Sequence, residues 1–260
     1  MRVYILAALT FATCSPIAVS QTTSAYYNKI YNLQAQKGWQ SYALLAPSWG
    51  ICTWCSPSGS SVNWYRKVPI SSPALSGKAA MHHIGGTHKY ADILWNNHII
   101  GDFSSQGISD SNHTLVPKLH NFVYDVYFYA KNIGYSQGLE FDINQWLSPK
   151  GYIWGHECRI AGGHEWDTYD NVHKKWVPTG VPCWPKNNAW NHLVIQVQRT
   201  SGGNLLFKSI TLNGKTATLN ITRAPGTTSW HGVTVNYQQD GNSKMDDYAV
   251  WIDKFNFIYW

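Results

Sequence analysis

Apolar and polar side chains alternate in short runs along this chain, and no apolar period of 3.6 residues persists for three turns. In an extended backbone successive side chains point to opposite faces, so such runs predict half-buried β-strands. The clearest cover 91–99, 121–130, 138–146, 151–160, 192–199, 205–212, 232–238 and 248–259. Asn213-Gly214, between two of these runs, is a hairpin signal because both residues tolerate positive φ. Residues 46–77 are rich in Ser, Pro and Gly and read as an ordered loop region. No repeat or linker divides the chain. Many short strands with frequent turn signals predict an all-β fold, a single antiparallel β-sandwich over 21–260.

Parity then sorts the faces. In 138–146, Leu139, Phe141 and Ile143 face a core while Glu140, Asp142 and Asn144 stand in file on the other side. In 121–129, Phe122, Tyr124, Val126 and Phe128 face inward, leaving Asp125, Tyr127 and Tyr129 outward. In 192–198, Leu193, Ile195 and Val197 face inward, leaving Gln196 and Gln198 outward. If these three strands are neighbours, their polar sets share one open surface suited to sugar hydroxyls and rings. A slip of one residue would exchange the sets.

Composition sharpens this picture. Aromatic residues make up 15% of the 260 residues, with 14 Trp and 16 Tyr, while charged residues reach only 13%. Disordered segments lack aromatics, so the chain folds. Rings beyond a core's needs stack against sugars, and Trp154, Trp166 and Tyr127 are the candidates. The net charge is +6, but Lys and Arg are scattered rather than gathered into a stripe, which excludes a nucleic-acid partner.

Residues 1–20 read as a secretory signal. Arg2 is the positive end, Val3 to Ala12 the apolar run and Ala18-Val19-Ser20 the cleavage site, so a secreted protein is expected. No stretch is long enough for a membrane span. Beyond Cys14, in the leader, four cysteines remain, and an even count in an exported chain implies disulfides. Cys52 and Cys55 are close enough to pair locally, which leaves Cys158 with Cys183. Cys52-Thr53-Trp54-Cys55 is also a redox or zinc half-site in form, but no second pair at zinc spacing accompanies it. No cofactor and no metal are expected.

The last third runs through Trp190-Asn191-His192-Leu193-Val194-Ile195, Leu212-Asn213-Gly214, Gly232 to Gln238 and a closing strand containing Trp251-Ile252-Asp253. This order resembles the concanavalin A-like jelly rolls of lectins and β-glucanases, over roughly 120–260. The resemblance implies a jelly-roll sandwich with a polysaccharide or other glycan in a concave groove. Laminarinase-like members carry Glu-x-Asp-x-Glu or Glu-x-Asp-x-x-Glu, in which the first Glu is the nucleophile and the last the acid/base. Glu140 and Asp142 match the first two positions. Asn144 and Gln145 fill the acid/base places, and neither is an acid. L-type lectins use a similar Glu-Phe-Asp stretch to bind manganese and calcium, but the loop with their remaining ligands has no counterpart here.

A complete hydrolase site must therefore recruit another carboxyl, about 5–5.5 Å away for retention or about 6.5–9.5 Å for inversion. Gly155 to Asp167 holds the chain's other glutamates, Glu157 and Glu165, together with His156, Arg159 and His164. Three readings stand side by side. In a hydrolase, Glu140 is nucleophile or base, Asp142 its electrostatic partner, and Glu157 or Glu165 the proton donor. In a lectin-like module the same groups bind hydroxyls. In a lyase, a histidine is the base and Arg159 or an amide neutralises a uronate carboxylate. Neither a His-Glu-x-x-His nor a Gly-x-Ser-x-Gly motif occurs.

Overall fold

A computed structural model describes residues 27–44 and 58–260. The signal segment, Cys14 and the Cys52–Cys55 pair lie outside the described residues. The chain enters through β1 (Asn28–Ile30), β2 (Trp39–Leu44), β3 (Val62–Ile70), β4 (Ala79–Gly86) and β5 (Asp92–Gly101). It continues through β6 (Asn121–Lys131), β7 (Ser136–Leu147), β8 (Lys150–Trp154), β9 (His156–Arg159), β10 (Glu165–Asp170) and β11 (Lys175–Pro182). The last part holds β12 (Trp190–Arg199), β13 (Leu205–Leu212), β14 (Lys215–Arg223), β15 (Gly226–Thr227), β16 (His231–Gly241) and β17 (Tyr248–Tyr259).

These strands form two antiparallel sheets. The first runs β14-β13-β12-β6-β17-β4-β3, with β1 added to β17. The second runs β11-β10-β9-β7-β16-β5-β2, with β8 and β15 beside β7. Strands β4 to β7 cross alternately between the sheets, and β16 and β17 return between earlier strands, which is the connectivity of a jelly roll. Among the described residues no helix is long and apolar enough to cross a membrane.

The alternation produces the core. Phe122, Tyr124, Val126 and Phe128 of β6 and Leu139, Phe141 and Ile143 of β7 are fully buried. They meet across the sandwich, Phe141 lying 5.9 Å from the Tyr124 ring and 5.4 Å from the Phe128 ring. That contact corrects the neighbour relation: β6 pairs with β12 and β17, whereas β7 pairs with β8, β9 and β16. Because β6 and β7 belong to opposite layers whose inner faces touch, their outer faces look away from each other.

Two further expectations change. Residues 62–70, inside the expected loop region, form β3 on the edge of the first sheet. The single run 151–160 divides into β8 and β9 at Gly155. A Cβ there would stand 2.9 Å from both the Trp176 ring and the Tyr169 Cβ, so glycine admits these rings against the backbone. The expected disulfide joins Cys158 of β9 to Cys183 just beyond β11, with Cα atoms 5.7 Å apart.

Candidate functional site

The outer face of the second sheet carries a recess of about 330 Å³. Its floor is made by alternate residues of three adjacent strands, β7, β16 and β5. Glu140, Asp142 and Asn144 project from β7, Thr234, Asn236 and Gln238 from β16, and Asp92, Asn96 and His98 from β5. The intervening residues Phe141, Ile143, Val235 and Tyr237 fill the core, so the same period-2 pattern builds both faces.

Registration sets carboxyls side by side. Glu140 opposes Glu157 on one flank and Gln238 on the other, and Asp240 opposes Asp92. Directly opposed residues on one sheet face have Cβ atoms about 4.5–5.5 Å apart. Gly138 makes room for the group: a Cβ there would stand 2.6 Å from Glu157 Oε1 and 3.0 Å from Asp240 Oδ2.

Amides tie this row together. Gln238 Nε2 donates to Glu140 Oε1 and, at 3.0 Å, to Asp240 Oδ1. Asn236 Nδ2 donates to Asp142 Oδ2 at 3.4 Å, and Asn96 Nδ2 donates to Asn236 Oδ1 at 2.5 Å. The backbone N–H of His156 donates to Asp142 Oδ1 at 3.3 Å, at the break between β8 and β9. Burial disfavours charge on all these acids, and their mutual repulsion adds to it. Burial, then Asp240, pushes the Glu157 carboxyl up to about 8. Asp142 and Asp240 are each raised by burial to about 7 against their hydrogen bonds, which favour the ionised form. Glu140 and Asp92 are raised well above the carboxylate range, again chiefly by burial.

Rings wall the recess. Trp230, 46% exposed, lies 5.6 Å from His98 and 6.2 Å from Trp146, and Phe103 adds an 81% exposed ring beside it. On the opposite side Tyr169 and Trp176 meet edge to face at 5.3 Å. Tyr42 closes the β2 edge.

Glu140, Asp142, Asn144 and Glu157 thus come together. Glu165 does not join them, because it opposes Arg159 one strand farther out and accepts from its Nη2 at 3.0 Å. Arg159 also holds Asp167 at 3.1 Å, so its guanidinium is committed. Gln145 points inward, donates to the Val116 and Leu119 carbonyls and accepts from Arg199. Trp154 and Trp166 are core residues, 0% and 1% exposed, because their parity matches the inner face. Neither can stack on a ligand. His156 is likewise buried against Phe207, where burial lowers its imidazole to about 4 and keeps it neutral. His164 stacks on the exposed Trp184 ring at 3.7 Å, away from the recess.

Asp125, Tyr127, Gln196 and Gln198 lie on the first sheet, on the far side of the molecule from Glu140. There Asp125 accepts from His192 Nε2 at 2.8 Å, and Tyr127 stacks on the same imidazole at 4.2 Å. A lyase base or uronate clamp built from His156, His164 and Arg159 is therefore not assembled. The recess also contains Asp92, Asn96, His98, Asn236, Gln238 and the neighbouring Asp240, which the sequence reading did not single out. Their signal was the same alternation: Thr234, Asn236, Gln238 and Asp240 form a polar file as regular as that of β7.

No protein-family model matches the chain. No curated protein matches it either. Among solved structures, peanut lectin aligns at 13% identity with a TM-score of 0.41, over 86% of this chain and 98% of the lectin. An alginate lyase in complex with an alginate trisaccharide aligns at 11% identity and 0.41, over 86% and 98%. The receptor binding domain of a botulinum neurotoxin C/D mosaic aligns at 14% identity and 0.39 over 76% of this chain, which spans 42% of that one. The likeness concerns the layered strands alone.

Proposed function

We propose that this is an exported protein that holds a polysaccharide in the outer recess of the second sheet and cleaves glycosidic bonds there. The observation that carries the reading is the opposition of Glu140, on the floor of a recess walled by aromatic rings, to Glu157 on the adjacent strand. Rings offer flat apolar faces to sugar rings, and the carboxyls and amides meet the hydroxyls. The cross-strand spacing suits the short carboxyl separation of a retaining mechanism, about 5–5.5 Å.

Crowded, buried carboxyls cannot all ionise, so the row keeps protons near neutrality. Glu157, pushed up to about 8, is the proton donor to the departing sugar oxygen. Glu140, which burial and the neighbouring acids hold protonated, passes its proton along the row as substrate enters and then acts as the nucleophile. Asp142, one pleat along, steadies the charge that develops on the sugar. Trp230, Trp146 and Trp176 replace Trp154 and Trp166 as the stacking rings.

Reducing-end release from a panel of soluble and insoluble polysaccharides tests the reading. Glu140→Gln and Glu157→Gln should each lower release on the order of 10²–10⁴-fold while affinity stays within a few-fold of the parent. Equal release from variant and parent removes the pair from the mechanism. One observation favours a binding module instead: Gln238 bridges Glu140 to Asp240, a contact the nucleophile must surrender. Retention of a polysaccharide with no product from the parent would establish that reading.

A further inference from the structure

Carboxyls crowd the floor of the recess and the strands beside it. Asp92, Glu140, Asp142, Glu157 and Asp240 are five of the chain's fourteen acidic residues, gathered on one sheet face of a protein whose net charge is +6. Arg159, the cation beside them, is already held by Glu165 and Asp167. The local amides also turn N–H groups toward their neighbours. Gln238 gives its N–H groups to Glu140 and Asp240, Asn236 to Asp142, and Asn96 to Asn236. Asn144 Nδ2 and the Trp146 indole both donate to Thr234.

This relay leaves two amide oxygens over. Asp142 Oδ2 accepts from Asn236 Nδ2, which leaves Asn236 Oδ1 to accept from Asn96 Nδ2 and turns Asn96 Oδ1 away. Asn96 Oδ1 is then buried without a donor, in a residue 8% exposed. Asn144 Oδ1 has none either, in a residue 2% exposed. Both residues line the recess. A buried acceptor without a donor is costly, and these two mark where a ligand must donate.

We propose, building on the glycan reading above, that the recess selects a polysaccharide bearing protonated amines, a glucosamine-type polymer. An ammonium brings three donors for the unpaired amide oxygens and a positive charge that favours ionisation of the adjoining carboxyls. An N-acetyl group substitutes a neutral amide with its own carbonyl acceptor. A uronate adds further acceptors and a like charge. Among the described residues no three His, Cys, Asp or Glu side chains converge as metal ligands. Acceptors strung along a groove fit a chain of cations rather than one ion.

Calorimetric titration of the full chain with four hexamers tests this: glucosamine, N-acetylglucosamine, neutral β-glucan and uronate oligomers. The glucosamine hexamer should bind at least tenfold more tightly than the other three. Its affinity should fall at least fivefold between 50 mM and 500 mM salt, as screening predicts. Asp92→Asn combined with Asp240→Asn should cut the preference at least threefold. Equal or tighter binding of a neutral, acetylated or uronate hexamer overturns the amine selectivity but leaves the groove as a glycan site. A preference that the double variant does not alter overturns it too, because the charge then lies elsewhere. Failure of all four hexamers to bind removes the glycan reading and this inference with it.

Discussion

Glu140 illustrates how one side chain acquires chemistry from its rank in a strand. Its parity sends it outward while Leu139 and Phe141 anchor the same strand in the core. Its neighbours then set its charge: Glu157 and Gln238 lie directly across, and Asp240 approaches over Gly138. Gly138 is the residue whose absence of a side chain makes the row. In Gly138→Ala the new methyl meets the movable end of Glu157 rather than backbone, so the sheet survives and the carboxyl shifts. We expect reducing-end release to fall at least tenfold, with a melting temperature within about 4 °C of the parent, a change of about 1 kcal/mol. Unaltered release would mean that the position of Glu157 is not used.

Among the elements, β9 depends most on its attachments. It is only four residues long, begins beside a glycine break, and carries Glu157 between Glu140 and Asp167. The Cys158–Cys183 bridge closes a loop with a sequence separation of 25 that includes β10 and β11, the outer strands of the second sheet. Opening that loop by Cys158→Ser with Cys183→Ser should destabilise the protein by about 3.5 kcal/mol on the chain-entropy account. Denaturant unfolding reads this directly, and an unchanged midpoint would show that sheet pairing alone fixes these strands. The loss of Trp176 packing over Gly155 should accompany it, visible as a change in tryptophan fluorescence.

At the scale of the whole molecule, the acidic row makes stability depend on pH in an unusual direction. A carboxyl raised by burial binds its proton in the native state at a pH where the unfolded chain has lost it. Native protein therefore holds more protons than unfolded protein from about pH 4 to about pH 8, and stability falls as pH rises through that window. Glu157 at about 8 and Asp142 and Asp240 at about 7 act within this window, and Glu140 and Asp92, raised well above the carboxylate range, act in the same direction. Asp170, lowered to about 2 chiefly by its bond to His173, works in the ordinary direction and is lost on acidification. Asp110 and Asp253 are also lowered, by His231 and by Ser76 with nearby backbone N–H groups, against the opposing effect of burial. The melting temperature should peak between about pH 4 and 6 and decline by several degrees toward pH 8. A maximum at pH 7–8 would show that the row is ionised and neutralised by a bound counter-ion.

The sequence by itself determined the long strands β5, β6, β7, β12, β13, β16 and β17, the inward and outward faces of β6, β7 and β12, and the sandwich, because these follow from local period; Cys158 with Cys183 followed only once Cys52 and Cys55 were paired locally. It also placed Glu140, Asp142 and Asn144 in one outward file. Tertiary structure alone decided that Asp125, Tyr127, Gln196 and Gln198 look away from that file, and that Glu157, Gln238 and Asp240 stand beside it. The physical reason lies in the crossing of the chain between layers. Alternation assigns a side chain to one of two faces, but which strand becomes its neighbour depends on long-range pairing. In a jelly roll the strand next along the chain passes to the opposite sheet, while β16, some ninety residues after β7, returns to pair with it.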